Sequence, residues 1–231
     1  MTDSSSVPQH VGFIVDGNRR WAKKHGLPTY EGHLAGFNAC KEVAEAVWDA
    51  GVKNMSLYVF STENWKRSKK EVAYLMQLIM RLVKEETPSL IKREVRLKVI
   101  GSSDRLGASV KAAIHEAEQA TAHFTNGTLL LCIDYGGQME IADAVKKIIK
   151  SGIKAEEVTP EIIEQNIYSP DVPPVDMIIR TSGEQRLSNF MLWRSAYSEL
   201  LFLEKQWPEM TKDDVTAILK EYNKRSRRFG G

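Results

Sequence analysis

Short β-branched apolar runs alternate with segments of helical periodicity, and this alternation constrains the fold of the chain more than any other feature. Residues 10–16 (HVGFIVD) end at Gly17 and have the length and residue types of a buried strand. Residues 36–50 carry Phe37, Cys40, Val43, Ala44, Val47 and Trp48 at helical spacing and stop at Gly51. The same alternation predicts strands at 55–60, 95–100, 128–134 and 175–180. It predicts helices at 69–86, ended by Pro88, and at 109–123, 139–150 and 211–223. Helices between strands are the crossovers that parallel pairing needs. The expected fold is α/β, with a central, mostly parallel sheet of about six strands flanked by helices. Residues 1–9 read as a flexible leader and 10–231 as one domain. The Pro-rich stretch at 168–174 is too short for a linker and reads as a turn.

Composition narrows the class. At 231 residues the chain is long enough to bury roughly 70% of its unfolded surface without staples. Its 32 basic and 30 acidic side chains leave a net charge of +2, which does not suggest a nucleic-acid binder. Two cysteines, Cys40 and Cys132, make no disulfide framework, so a reducing, cytoplasmic setting is expected. No signal peptide is visible, and no run of about 18 apolar residues offers a membrane span.

Polar clusters follow four of the predicted strands. They are Asp16 to Trp21, Ser61 to Arg67, Tyr135 to Gln138 and Arg180 to Arg186. A parallel sheet brings all four to its carboxyl edge, where open α/β folds bind ligands. Arg19, Arg20, Arg67, Arg180 and Arg186 fall in these clusters, and guanidinium forks suit phosphate oxygens. Asp16 stands among them, either as a partner of an arginine or as a ligand of Mg²⁺, which takes one or two carboxylates plus substrate phosphates. No Gly-x4-Gly-Lys-Ser/Thr loop, no Gly-x-Gly-x-x-Gly after a strand and no Gly-x-Ser-x-Gly elbow is present. In residues 72–83 (VAYLMQLIMRLV) only Gln77 and Arg81 are polar. That helix reads either as core or as the wall of a tunnel for an apolar ligand.

Taken in order, HVGFIVDGNRRWAKKHG, LYVFSTENWKR, DYGGQ, IRTSGEQRLSNFMLW and AYSELLF resemble the cis-prenyltransferases, most closely the bacterial undecaprenyl diphosphate synthases. The likeness spans His10 to the terminal Arg227-Arg228-Phe229-Gly230-Gly231. It implies a homodimer with an apolar tunnel that condenses isopentenyl diphosphate onto an allylic diphosphate with Mg²⁺. It implies that Asp16 and Glu199 serve the metal. Gly17, Asn18, Arg19, Arg20, Trp21 and His33 would hold the allylic diphosphate. Asn64, with Ser61 nearby, would serve proton removal; Ser61, Thr62 and Glu63 would bind substrate, and Trp65 would flank it. Arg67, Arg180, Arg186, Leu187 and Ser188 would take isopentenyl diphosphate. The tail would complete the neighbouring subunit's site, and release of product would need a membrane surface. His33 and Trp65 also admit plain packing roles, and the tail a solvated one. Val59, Leu75, Ile79 and Leu82 are the expected tunnel lining, with undecaprenyl diphosphate as product and farnesyl or geranyl diphosphate as starter. A shorter or longer product, or a non-catalytic partner subunit, is the alternative. The chain departs from the family pattern at Thr29, Asp134, Gln138 and Gln185.

Overall fold

The strand-forming runs pair into one sheet of six strands, and every pairing is parallel. A computed structural model describes residues 7–225. The strands are β1 (His10–Ile14), β2 (Asn54–Ser61), β3 (Val95–Ile100), β4 (Gly127–Tyr135), β5 (Met177–Arg180) and β6 (Glu199–Phe202). The helices are α1 (Asn18–Lys24), α2 (Thr29–Asp49), α3 (Lys69–Lys92), α4 (Ala108–Thr121), α5 (Gly137–Lys150), α6 (Pro160–Asn166) and α7 (Lys212–Lys224). A 3₁₀ turn, Thr62–Lys66, joins β2 to α3.

The order across the sheet is β3-β4-β2-β1-β5-β6. After β1 the chain builds outward on one side, then returns to add β5 and β6 on the other. The junction of β1 and β5 is therefore a topological switch point, the kind of crevice that ligands use. Both faces of the sheet are covered, which is why β4 reads as an unbroken apolar run. Its Leu129, Leu131 and Ile133 join the larger core with α2, α3, α4 and α7. Leu130 and Cys132 face the other way, into a smaller core with Tyr58, Tyr135, Ile178 and Phe190. Cys40 and Cys132 are both buried free thiols.

Several expectations needed correction. α3 runs through Pro88 to Lys92, although a proline was expected to end it at 86. The Thr87 hydroxyl takes the Val83 carbonyl at 2.6 Å, and buried Leu90 anchors the last turn. Tertiary packing thus overrides the missing amide. Residues 72–83 are not buried all round: Leu78, Ile79, Leu82 and Val83 are in the core, while Ala73 and Gln77 are exposed. The 16–20 segment is already helical from Asn18. Within the expected leader, Gln9 donates its amide to Asp176 Oδ2 at 2.7 Å and accepts from the Asn54 amide at 2.9 Å. The sixth strand, β6, lies in the run 197–202 that carried no strand assignment.

Close packing fixes both ends of the sheet. Past the carboxyl end of β1, α1 lies so close on α2 that a Cβ at Gly32 would stand 2.1 Å from the Asn18 carbonyl oxygen. Gly32→Ala should therefore cost about 1–3 kcal/mol, read by urea unfolding, because overpacked helices must separate; an unchanged midpoint would count against this packing. At the amino end of the sheet, buried His10 donates from Nδ1 to the Pro173 carbonyl (2.8 Å) and accepts at Nε2 from the Ser56 hydroxyl (2.6 Å). Burial pushes its pKa down to about 4. Between pH 6.5 and about 4 the unfolded chain binds a proton there that the folded chain refuses, so stability falls as pH falls through this window. Buried His33, whose pKa is also lowered, acts in the same direction. The urea midpoint should drop between pH 7 and pH 5, and drop less in His10→Gln; equal drops would rule out this role for His10.

Candidate active site

The carboxyl ends of β1, β2 and β5 open into one cleft of about 820 Å³. Asp16 follows β1 and is its centre. Its Oδ2 accepts from Arg180 Nη2 at 2.9 Å, and its Oδ1 accepts from the Gly17 amide at 2.7 Å. Arg20 Nη2 lies 3.0 Å from Oδ1. Burial alone would push the Asp16 carboxyl up, but the Arg180 hydrogen bond and the Arg20 charge hold it below its usual range. The turn is fixed from beneath. Buried Thr181 accepts from the Asp16 amide at 3.1 Å and donates to the Asp16 carbonyl at 2.7 Å. Gly17 has φ 108°, and a Cβ there would meet the Ser182 side chain at 2.9 Å, so glycine is required.

Arg180 joins both halves of the cleft. It is buried, and its Nη1 donates to Ser188 Oγ and to the Arg186 carbonyl, each at 2.6 Å. Its Nε is buried without a partner among the described residues. Across the cleft, Glu71 in the first turn of α3 gathers cationic groups. His33 Nε2 lies 3.1 Å, Arg67 Nη1 3.2 Å and Arg19 Nε 3.8 Å from its Oε1. Burial lowers the His33 pKa despite Glu71, so the imidazole is neutral near pH 7. Glu184 likewise pairs with Arg20 at 2.8 Å and with Arg186. The cleft lining holds Arg19, Arg20, Arg67 and Arg180 against the acids Asp16 and Glu63, an excess of guanidinium groups that suits a multiply charged anion.

The 3₁₀ turn supplies Glu63 and Asn64. The Asn64 side-chain oxygen accepts from the Ser61 amide at 3.1 Å, and Ser61 caps the turn in return. The oxygen is thus engaged, and the Nδ2 donor is left for a ligand. Burial tends to raise the Glu63 pKa, but its own amide, Ser61, Thr62 and Asn189 hydrogen-bond the carboxylate and keep it low. Opposite, Ser188 and Asn189 adopt φ of 49° and 67°. Non-glycine residues bear that conformation where surrounding contacts enforce it. Here Asn189 Oδ1 accepts from the Gln138 amide (2.8 Å) and its carbonyl from the Gly137 amide (2.7 Å).

The cleft is lined by the expected Asp16, Gly17, Asn18, Arg19, Arg20, His33, Ser61, Glu63, Asn64, Arg67, Arg180 and Ser188. Six other expected residues do not line it. Trp21 stacks on His25, ring centres 4.4 Å apart. Thr62 sits by Gly136. Leu187 packs on the smaller core, and Arg186 reaches the site through its carbonyl. Trp65 points behind the turn, its indole donating to Asp134 Oδ1 at 2.8 Å, so it does not flank the cleft. Glu199 opens β6, at the amino edge of the sheet, and pairs with Arg225 at 2.9 Å; it does not join Asp16 within one chain. The tail from 226 to 231 lies outside the described residues. The candidate residues did not include Glu71, Glu184, Thr181 or Asn189, although Thr181 and Glu184 fall within the cluster from Arg180 to Arg186, Asn189 within the motif that follows it, and Glu71 stands one turn after Arg67.

Two expected tunnel residues, Val59 and Leu75, reach the cleft. Ile79 and Leu82 are packed in the core instead. A second cavity of about 10 Å³ lies beyond them, beside Leu57, Leu82 and Leu131. Val59 and Leu57 share a face of β2, and Leu75, Ile79 and Leu82 follow one stripe of α3.

For Mg²⁺ the donor set is small. No group of three or more His, Cys, Asp or Glu is placed to hold a metal among the described residues. The ionised Asp16 carboxylate, at the mouth of an anion site, fits a cation that shares its shell with substrate phosphates and water.

Residues 14–230 match the model of the prenyltransferase family described as "Putative undecaprenyl diphosphate synthase". The isoprenyl transferase of Thermotoga maritima is 46% identical over 227 residues, covering 97% of each chain. The crystal structure of lavandulyl diphosphate synthase from Lavandula x intermedia, in complex with dimethylallyl diphosphate, superposes with a TM-score of 0.93 at 31% identity. It covers 99% of this chain and 100% of that one. A Campylobacter jejuni protein described as a probable undecaprenyl diphosphate synthase gives 0.83 at 32% identity, over 98% of this chain and 100% of its own. With a cationic cleft at the switch point of an all-parallel sheet and likeness along nearly its whole length, the chain belongs to the cis-prenyltransferase family.

Proposed function

We propose that this chain condenses isopentenyl diphosphate units onto farnesyl or geranyl diphosphate, with cis geometry, until undecaprenyl diphosphate is formed. One observation carries the reading: the cleft is lined by Arg19, Arg20, Arg67 and Arg180 and also by apolar Val59 and Leu75, which pack against the core. A molecule with a diphosphate head and a growing hydrocarbon tail matches that polarity.

Arg19, Arg20 and His33 would hold the allylic diphosphate on one side of Asp16, and Arg67, Arg180 and Ser188 the isopentenyl diphosphate on the other. Holding two anions side by side turns a bimolecular encounter into an oriented one. The allylic C–O bond breaks with its electron pair going to the departing diphosphate, whose growing charge the arginines stabilise. The isopentenyl double bond closes on the allylic carbon, and a proton leaves the adjacent carbon. Asn64 is an amide with its oxygen engaged by the Ser61 amide, so it acts as a donor that orients a diphosphate oxygen, and that oxygen takes the proton. Mg²⁺, held by Asp16 together with phosphate oxygens, would supply further charge neutralisation.

A homodimer fits the exposed edge of the sheet. Among the described residues β6 pairs with β5 alone, Leu200 is exposed, and Tyr197 (77% exposed) lines a groove of about 390 Å³. No helix among the described residues is long and apolar enough to cross a membrane. A cytoplasmic enzyme that meets the membrane surface only to release product is consistent with this.

Labelled isopentenyl diphosphate supplied with each starter tests the reading. Incorporation into an extractable polyprenyl diphosphate is expected, and Asp16→Ala should lower it roughly 10²–10³-fold; no incorporation with either starter would overturn the proposal. Chromatography of the same products reads chain length. Leu75→Trp, which fills the floor of the cleft, should shorten them, whereas an unchanged distribution would remove Leu75 from the path of the growing chain.

A further inference from the structure

Asp134 ends β4 as a carboxylate where the family pattern has an amide, and its surroundings give it a task away from the diphosphates. It is 1% exposed and has φ 51°. Arg105, from the loop between β3 and α4, grips it with two donors, Nε to Oδ2 at 3.1 Å and Nη2 to Oδ1. Oδ1 also accepts the Trp65 indole N–H at 2.8 Å. The Arg105 guanidinium lies over the Trp65 ring, 5.0 Å from its centre, and Phe60 meets the ring edge-on at 5.1 Å. The loop is itself pressed on β4: Ser102 donates to the Asp134 carbonyl at 3.1 Å, and a Cβ at Gly101 would stand 2.0 Å from the Ile133 carbonyl oxygen. Trp65 thus sits in a socket closed by a charged pair, a cation over its face and an aromatic at its edge.

Trp65 is the residue next to Asn64, in a turn of five residues. A turn that short leaves little play between them. We infer that Asp134 and Arg105 are positioning residues for Asn64, acting through Trp65 from behind the cleft. The inference rests on the proposed role of the Asn64 turn in prenyl transfer. A carboxylate suits the task because it accepts the indole and the guanidinium at once. The departure at 134 therefore tunes the geometry of the turn and leaves the diphosphate contacts alone.

Trp65→Phe keeps a ring in the socket and removes the indole donor. It should lower kcat roughly 10- to 100-fold, the scale of a misplaced catalytic group. KM for both diphosphates should stay within about twofold. Combined with Asn64→Ala it should add little further loss, because both changes act on one group. Losses that multiply, an unchanged kcat, or a raised KM for the allylic diphosphate at constant kcat would each overturn the inference, the last by placing Trp65 on the substrate. Asp134→Asn retains an acceptor for the indole and should keep more activity than Asp134→Ala; equal loss in both would also overturn it, even if the tryptophan variant failed to fold. Hydrogen exchange of the amides at 62–67 should quicken in Trp65→Phe and in Asp134→Ala, and unchanged protection refutes the socket. That readout needs no turnover, so it stays decisive should the parent protein show no prenyl transfer, a result that would count against the proposed function alone.

Discussion

Ile14 faces Arg180 across the parallel pair β1–β5, and two residues further on Asp16 meets that guanidinium at 2.9 Å. This contact ties the two sides of the sheet together at its switch point. From Asp16 the chain turns into α1 with Arg19 and Arg20. From Arg180, bonds to Ser188 and the Arg186 carbonyl set the opposite wall. A buried guanidinium left with one partner fewer is costly, commonly about 3–5 kcal/mol when an ion pair is broken inside a protein. The arrangement persists because both terminal nitrogens of Arg180 find acceptors, and Thr181 holds the Asp16 backbone from both ends.

The cleft holds its cations apart by lending them internal acids. Glu71 receives His33, Arg67 and Arg19, and Glu184 receives Arg20 and Arg186. These pairings limit self-repulsion among the arginines, and under the proposed function an arriving diphosphate would compete with the glutamates for the same donors. Exposed pairs such as Arg186–Glu184 are weak and screened by salt, so they yield readily to a ligand with two negative phosphates. The apolar floor works the other way. Val59 and Leu75 offer no side-chain donor, and Ile79 and Leu82 further along α3 are close-packed in the core.

Most of the architecture was legible because periodicity and burial agree. Central strands buried on both faces read as apolar runs, and β1, β4 and β5 follow that rule, whereas β3, at one edge of the sheet, alternates its apolar residues with Arg96 and Lys98. β6 was harder, as an edge strand of four residues with a charge at its start. The end of α3 was misread because Pro88 signals a break locally, whereas Leu90 is buried by contacts distant in sequence. Among site residues, those reading from β1, β2 and β5 into loops could be placed by topology. Trp65 could not, since its direction depends on Asp134 and Arg105, which lie far from it along the chain.

By itself, the sequence determined that strands and helices alternate, that the strands pair in parallel, and that arginines and Asp16 collect at one edge. Those follow from local spacing and from the fixed polarity of a parallel sheet. Only the tertiary structure decided which groups meet: that Glu71 collects three basic groups, that Trp65 turns away from the cleft, and that Glu199 stands with Arg225 at the opposite edge. Side-chain direction at a strand end or in a short turn is set by the packing of remote segments, and no local pattern encodes it.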